Sequence, residues 1–64
     1  PIKGRSVLVI DDLLATGGTM FAVKTLLESC GAFVPAGAVV IELVALGGRA
    51  ALDMPLITLK AYDD

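Results

Sequence analysis

The stretch from Ser6 to Thr19 constrains this chain more than any other. Ser6-Val7-Leu8-Val9-Ile10 is a short aliphatic run, preceded by Gly4 and followed by two acids, Asp11 and Asp12. Apolar side chains on both of its faces predict a strand covered from two sides, as in a parallel sheet. The segment Asp-Asp-Leu-Leu-Ala-Thr-Gly-Gly-Thr, residues 11 to 19, reads as a polar, glycine-containing loop that runs straight into helical periodicity. A buried strand joined in this way to a helix points to an α/β fold.

The spacing predicts a helix over 19–30. Met20, Val23, Leu27 and Cys30 fall on one stripe, with Ala22 and Leu26 beside it and Lys24 and Glu28 on the other face. Thr16 or Thr19 is placed to cap its start, and Gly31 suits the left-handed residue after its last turn. Val39 to Val44 is a second strand, approached through Ala32 to Gly37 with Pro35 blocking regular pairing. The result is a βαβ unit, for which a right-handed crossover is expected. Leu46-Gly47-Gly48 turns the chain, Arg49 to Leu52 fits one helical turn, and Leu56 to Ala61 alternates Ile57, Leu59 and Ala61 with Thr58 and Lys60. That alternation predicts a further strand with one wetter face, near a sheet edge. No internal repeat, low-complexity linker or domain boundary interrupts the 64 residues.

Composition narrows the function classes. Five Lys plus Arg against seven Asp plus Glu give a net charge of −2, with no basic stripe, so neither a nucleic acid nor another polyanion is expected as partner. The single cysteine, Cys30, has no intrachain partner, and the absence of His removes Cys/His metal clusters and Ser-His or Cys-His nucleophiles. Cys30 reads as a small core residue. No apolar run approaches the roughly 20 residues of a membrane span, and a reducing, cytoplasmic setting is expected. With 56% hydrophobic residues the chain is apolar for its length, which implies surface that something else covers. It opens on Pro1 rather than Met, as a fragment or processed product would.

The loop carries the chemistry. Two adjacent carboxylates at the carboxyl end of a strand stand where ligands bind in open α/β sheets. Thr16-Gly17-Gly18-Thr19 then leads into a helix N-terminus, whose free N–H groups and positive dipole end suit a phosphate. Gly17 and Gly18 allow close approach of backbone to an anion, and Thr16 and Thr19 add hydroxyls. Carboxylates repel a phosphate, so Asp11 and Asp12 are expected to face sugar hydroxyls or a divalent cation carried by the ligand. The ligand so defined has a phosphate next to a cis-diol, as in a ribose 5-phosphate. Neither G-x-x-x-x-G-K-[ST] nor G-x-G-x-x-G is present.

Residues 7 to 20, Val-Leu-Val-Ile-Asp-Asp-Leu-Leu-Ala-Thr-Gly-Gly-Thr-Met, resemble the phosphoribosyl-pyrophosphate-binding motif of the type I phosphoribosyltransferases, in the form found in the adenine-specific enzymes. Ile41 to Arg49 and the closing strand to Tyr62 resemble later segments of the same enzymes, so the likeness covers nearly the whole chain. The resemblance implies the C-terminal part, 1–64, of a single phosphoribosyltransferase domain with a Rossmann-like parallel sheet. It implies that Asp11 and Asp12 engage the ribose, that Ala15, Thr16, Gly17, Gly18 and Thr19 cradle the 5′-phosphate, and that Mg²⁺ arrives with the substrate. The implied reaction joins adenine to phosphoribosyl pyrophosphate, giving AMP and pyrophosphate in purine salvage, in a cytoplasmic homodimer. Another purine phosphoribosyltransferase, or a regulatory protein that senses phosphoribosyl pyrophosphate, would share the motif. In the family the adenine pocket, the pyrophosphate loop and the catalytic loop lie upstream of it, so the general acid or base is not expected here and the chain alone is expected to be inactive.

Three residues fall outside that scheme. Glu42, a charge within an apolar strand, reads as an ion-pair partner of Arg49 or of another segment rather than as a catalytic group, and Arg49 as structural. Phe21 lies on the helix face of Lys24 and Glu28, either touching a subunit or another segment or simply exposed.

Overall fold

Parallel pairing collects the apolar runs into one sheet. The computed structural model describes residues 2–62, in which strands β1 (Val9–Leu14), β2 (Gly37–Leu43) and β3 (Leu56–Tyr62) lie in the order β1-β2-β3, all parallel. Helix α1 (Gly18–Ser29) connects β1 to β2, and two 3-10 turns, Val44–Leu46 and Gly48–Ala51, connect β2 to β3. This is the expected βαβ unit with a further strand at the edge. Pro1 and residues 63–64 lie outside the described residues.

The first strand is displaced from its expected position. Ser6 makes only an isolated bridge to Phe33, whereas the backbone of the acidic pair continues the ladder, with Asp11 opposite Val39 and Leu13 opposite Ile41. Backbone groups of the seven-residue β2 need partners along its length, and residues 11–14 supply them. The acids therefore stand within β1, not after it, and the loop proper shrinks to Ala15-Thr16-Gly17. At the other end β2 stops at Leu43, one residue early, because Val44 enters a 3-10 turn closed by Gly47 at φ 73°.

Among the described residues, the apolar core lies on one side of the sheet. Val9, Leu14, Met20, Val34, Val39, Leu52 and Leu56 form the core, with Leu27 and Met54 packed against it. Ile10, by contrast, is 73% exposed and Leu59 77%. Burial on two faces of the first strand is thus not observed in this chain. The alternation in β3 is present but used in reverse, since Ile57 and Leu59 are exposed while Thr58 is half-buried. The pairings also skip Asp12–Val40 and Val40–Leu59, and burial changes phase across that line. Val9, Gly37, Val39 and Leu56 are buried on one side of it, Leu14 and Glu42 on the other.

Helix α1 turns a different face inward from the one its pattern suggests. Met20 and Lys24 are buried and Leu27 packs on the core, whereas Val23, Leu26 and Cys30 are exposed. Apolar residues almost encircle this helix, so periodicity allowed two faces. Lys24 decides between them, because its ammonium reaches both Glu28 and Asp53 while its stem lies over the core side. Gly31, at φ 88°, closes the helix as expected: its N–H donates to the Glu28 carbonyl and that of Ala32 to the Leu27 carbonyl, the paired bonds of a Schellman motif.

Candidate functional site

The sharp end of β1 makes a cavity. Asp11 through Met20 line, without a break, a space of about 250 Å³ at the junction of β1 and α1. All seven residues singled out as site candidates, Asp11, Asp12, Ala15, Thr16, Gly17, Gly18 and Thr19, are in that lining, together with Leu13, Leu14 and Met20. Asp11 Oδ1 accepts the Asp12 N–H at 2.8 Å, which fixes the first carboxylate against its own backbone; Asp12 is exposed.

The start of the helix is built from glycine rather than capped by threonine. Gly17, at φ 86°, is the N-cap, and no side chain bonds to the first turn, so neither Thr16 nor Thr19 caps it. The first helical bond runs from the Phe21 N–H to the Gly17 carbonyl at 2.9 Å. The N–H groups of Gly18, Thr19 and Met20 precede it and have no intrahelical acceptor. Together with the Thr16 and Thr19 hydroxyls they bring donors to a lining that also carries the Asp11 and Asp12 carboxylates.

A second glycine, absent from the sequence-based site, shapes the turn. A Cβ on Gly17 would lie 2.7 Å from the Gly48 carbonyl oxygen and 3.3 Å from Ala51 Cβ. A Cβ on Gly48 would overlap the Ala15 carbonyl oxygen and lie 2.9 Å from Leu14 Cγ and 3.0 Å from the Gly17 nitrogen. The signal was in the sequence, in the pair Gly47-Gly48. Of that pair Gly47 alone has a positive φ, so Gly48 is glycine because of close approach.

Behind Gly48 sits the charge inside β2. Glu42, 4% exposed, accepts from Arg49 Nη2 at 2.8 Å, Arg49 Nε at 3.2 Å and the Thr58 hydroxyl at 3.0 Å. Arg49 also donates to Thr58 Oγ1 and to the Leu56 carbonyl, both at 3.0 Å. The guanidinium holds the Glu42 carboxyl below its ordinary value, against the opposing pull of burial, and Glu42 raises Arg49 in turn. Pairing of Glu42 with Arg49, one of the two partners considered for it, is what the structure contains. Phe21 is half exposed on α1.

Residues 1–59 match the phosphoribosyl transferase domain family. The chain belongs to that family. An adenine phosphoribosyltransferase of Gluconacetobacter diazotrophicus is 54% identical over 61 residues, which are 95% of this chain and 35% of that protein. Among solved structures, the adenine phosphoribosyltransferase of Thermoanaerobacter pseudethanolicus matches with a TM-score of 0.92 at 42% identity, over 95% of this chain and 36% of that one. That of Trypanosoma brucei, solved with AMP, pyrophosphate and ribose-5-phosphate, matches at 0.79 with 34% identity, over 88% and 28%. This phosphoribosyltransferase chain thus spans about a third of the length of such relatives. Among its described residues no helix is long and apolar enough to cross a membrane.

Proposed function

We propose that residues 11–20 hold the ribose 5-phosphate end of phosphoribosyl pyrophosphate in an adenine phosphoribosyltransferase, which joins adenine to that substrate to give AMP and pyrophosphate. The continuous lining from Asp11 to Met20 carries the reading. One continuous lining carries both carboxylates and the donors of a helix start, the two chemistries that a diol and a phosphate require. The names of the relatives support adenine as the base.

In this reading the N–H groups of Gly18 and Thr19, the hydroxyls of Thr16 and Thr19 and the turn at Ala15-Gly17 fix the 5′-phosphate. Asp11 and Asp12 accept from the ribose hydroxyls. Anchoring the phosphate orients the anomeric carbon, and carboxylates beside the sugar favour the positive charge that develops there as pyrophosphate departs. Among the described residues no group of three His, Cys, Asp or Glu is placed to enclose a metal. The two carboxylates fit a lesser share in Mg²⁺, whose remaining oxygen ligands would come from substrate and water. When bound, that ion would offset charge on the departing pyrophosphate.

The chain then forms the C-terminal part of one phosphoribosyltransferase domain, in a cytoplasmic homodimer, with the adenine pocket and the acid–base groups supplied upstream. Coverage of about a third of each relative supports this division. Calorimetry with ribose 5-phosphate and Mg²⁺ tests the cradle. Asp11→Asn with Asp12→Asn is expected to lose about tenfold in affinity or more, the worth of a charge-assisted hydrogen bond. Equal affinity in the two proteins would remove the carboxylates from the ribose, and AMP synthesis by the 64 residues alone would overturn the placement of the acid–base groups elsewhere.

A further inference from the structure

We propose that Arg49 is a positioning residue for the phosphate turn: clamped by Glu42 and Thr58, it holds Gly48 against Ala15 and Gly17 and so sets the spacing of the N–H groups that receive the phosphate. The inference rests on the phosphoribosyl reading above.

The 3-10 turn Gly48–Ala51 is too short to hold its own place. Near it the backbone bonds are those of Ala50 to the Gly47 carbonyl and Leu52 to the Arg49 carbonyl, at 3.1 and 3.2 Å. Such bonds close a turn on itself and do not attach it to a sheet. Just past it Leu52 packs into the core, and Arg49 supplies the polar attachment to the sheet. Its fork grips Glu42 with two nitrogens, and its remaining donors reach Thr58 and the Leu56 carbonyl, so one guanidinium ties the turn to both β2 and β3. A planar, fixed set of donors resists rotation in a way that a single ammonium does not.

The anchor point matters as much as the grip. Glu42 pairs in the ladder with Leu14, the last residue of β1 before the phosphate turn. Gly48, next in sequence to Arg49, touches the far side of the same turn at Leu14, Ala15 and Gly17. The turn is therefore held between a strand whose neighbour carries Glu42 and a 3-10 segment pinned to that same Glu42. Contact between Gly48 and Gly17 leaves no space for a methyl group on either, so movement of Gly48 is transmitted directly to the backbone at Gly17.

The test uses the complete protein in which the reading places this chain, with Arg49→Gln, Arg49→Lys and Thr58→Val compared at a temperature where each is folded by near-ultraviolet circular dichroism. Two readouts separate positioning from stability. Without ligand, the amide resonances of Gly17, Gly18 and Thr19 are expected to shift in Arg49→Gln, and exchange of the Phe21 N–H, which bonds the Gly17 carbonyl, to quicken about tenfold, with partial recovery of both in Arg49→Lys. In turnover, KM for phosphoribosyl pyrophosphate is expected to rise about tenfold while KM for adenine stays within about twofold. Thr58→Val removes one hydroxyl and moves both readouts the same way by less, which keeps the test open should Arg49→Gln not fold. Unaltered amides at 17–19, or equal changes in both KM values, would overturn the proposal. Should the unaltered protein fail to take phosphoribosyl pyrophosphate, the functional reading falls, and the amide readout alone still decides whether Arg49 sets the turn.

Discussion

Lys24 and Asp53 join the helix to the segment that leads into β3. Lys24 Nζ lies 3.1 Å from Asp53 Oδ1 and 3.0 Å from Glu28 Oε1. The lysine side chain is only 10% exposed, while the Asp53 side chain is 80% exposed. Its hydrogen bonds to Glu28 and Asp53, the former the larger cause, raise the lysine above its ordinary value.

That asymmetry predicts which part of Lys24 matters. Exposed carboxylates regain water when the ammonium is removed, and exposed pairs contribute little. The buried stem has no such substitute. Lys24→Ala is therefore expected to lower the urea midpoint clearly, and Lys24→Met and Asp53→Asn much less. A loss in Asp53→Asn as large as in Lys24→Ala would show that the ion pair, and not the stem, holds the helix.

Glycine substitutions separate conformational strain from lost space. Gly4 and Gly17 both have positive φ, 79° and 86°, but a Cβ on Gly4 meets nothing within 4 Å whereas one on Gly17 meets the Gly48 carbonyl. Gly4→Ala is expected to cost about 1 kcal/mol, the left-handed penalty alone. Gly17→Ala adds an overlap with backbone, worth about 1–3 kcal/mol more. Gly37→Ala is the control for crowding by side chains rather than backbone, since its Cβ would meet Met20 Sδ, Met54 Cε and Leu56 Cδ1, and methionine adapts readily. It is expected to be the mildest of the three. Denaturant unfolding of all three checks the order, and Gly17→Ala no worse than Gly4→Ala would remove the steric account.

The candidate site was legible because its residues are contiguous. Asp11 to Thr19 needs no tertiary contact to be recognised as a donor-rich turn after two acids, and the cavity has that lining. The features that local pattern does not display depend on contacts between distant segments. The extension of β1 through the acids follows from pairing with β2, which no local pattern displays. Lys24 looked like a surface residue because its partner Asp53 lies 29 positions away in the chain. Gly48 reads locally as a turn residue, and its packing role arises from the approach of the segment after β2 to Gly17. Periodicity likewise placed Cys30 in the core, although it stands at the helix C-cap, where the chain turns away and leaves the thiol exposed.

Acid stability should report on Glu42. Its carboxyl is held below the ordinary value of 4.5, first by the Arg49 hydrogen bonds. Below 4.5 the unfolded chain takes up a proton there that the folded chain refuses, so stability falls as pH drops towards the lowered value. Above 4.5 the contribution is complete. Asp53, lowered by Lys24 from 3.8, acts with the same sign in a lower window. Chemical unfolding at pH 7 and at successive steps below 4.5 is expected to show a shallower acid slope in Glu42→Gln than in the unaltered chain. Equal slopes would mean that the Glu42 carboxyl titrates alike in both states.

The open side of the sheet predicts behaviour in solution. Ile10, Ala38 and Ile57 occupy one row of the parallel register, and Ile10 and Ile57 are exposed, as is Leu59 further along the edge strand β3. An apolar row ending in an unpaired strand edge favours association, because it offers both surface and backbone partners to a second molecule. The 64-residue chain is expected to sediment as species larger than a monomer, and Ile57→Thr with Leu59→Lys to shift it towards monomer. Neither residue lines the cavity of Asp11 to Met20, so affinity for ribose 5-phosphate should be unchanged. Sedimentation velocity on the two proteins, with far-ultraviolet circular dichroism confirming the same fold, distinguishes the cases; identical sedimentation would move the associating surface away from β3.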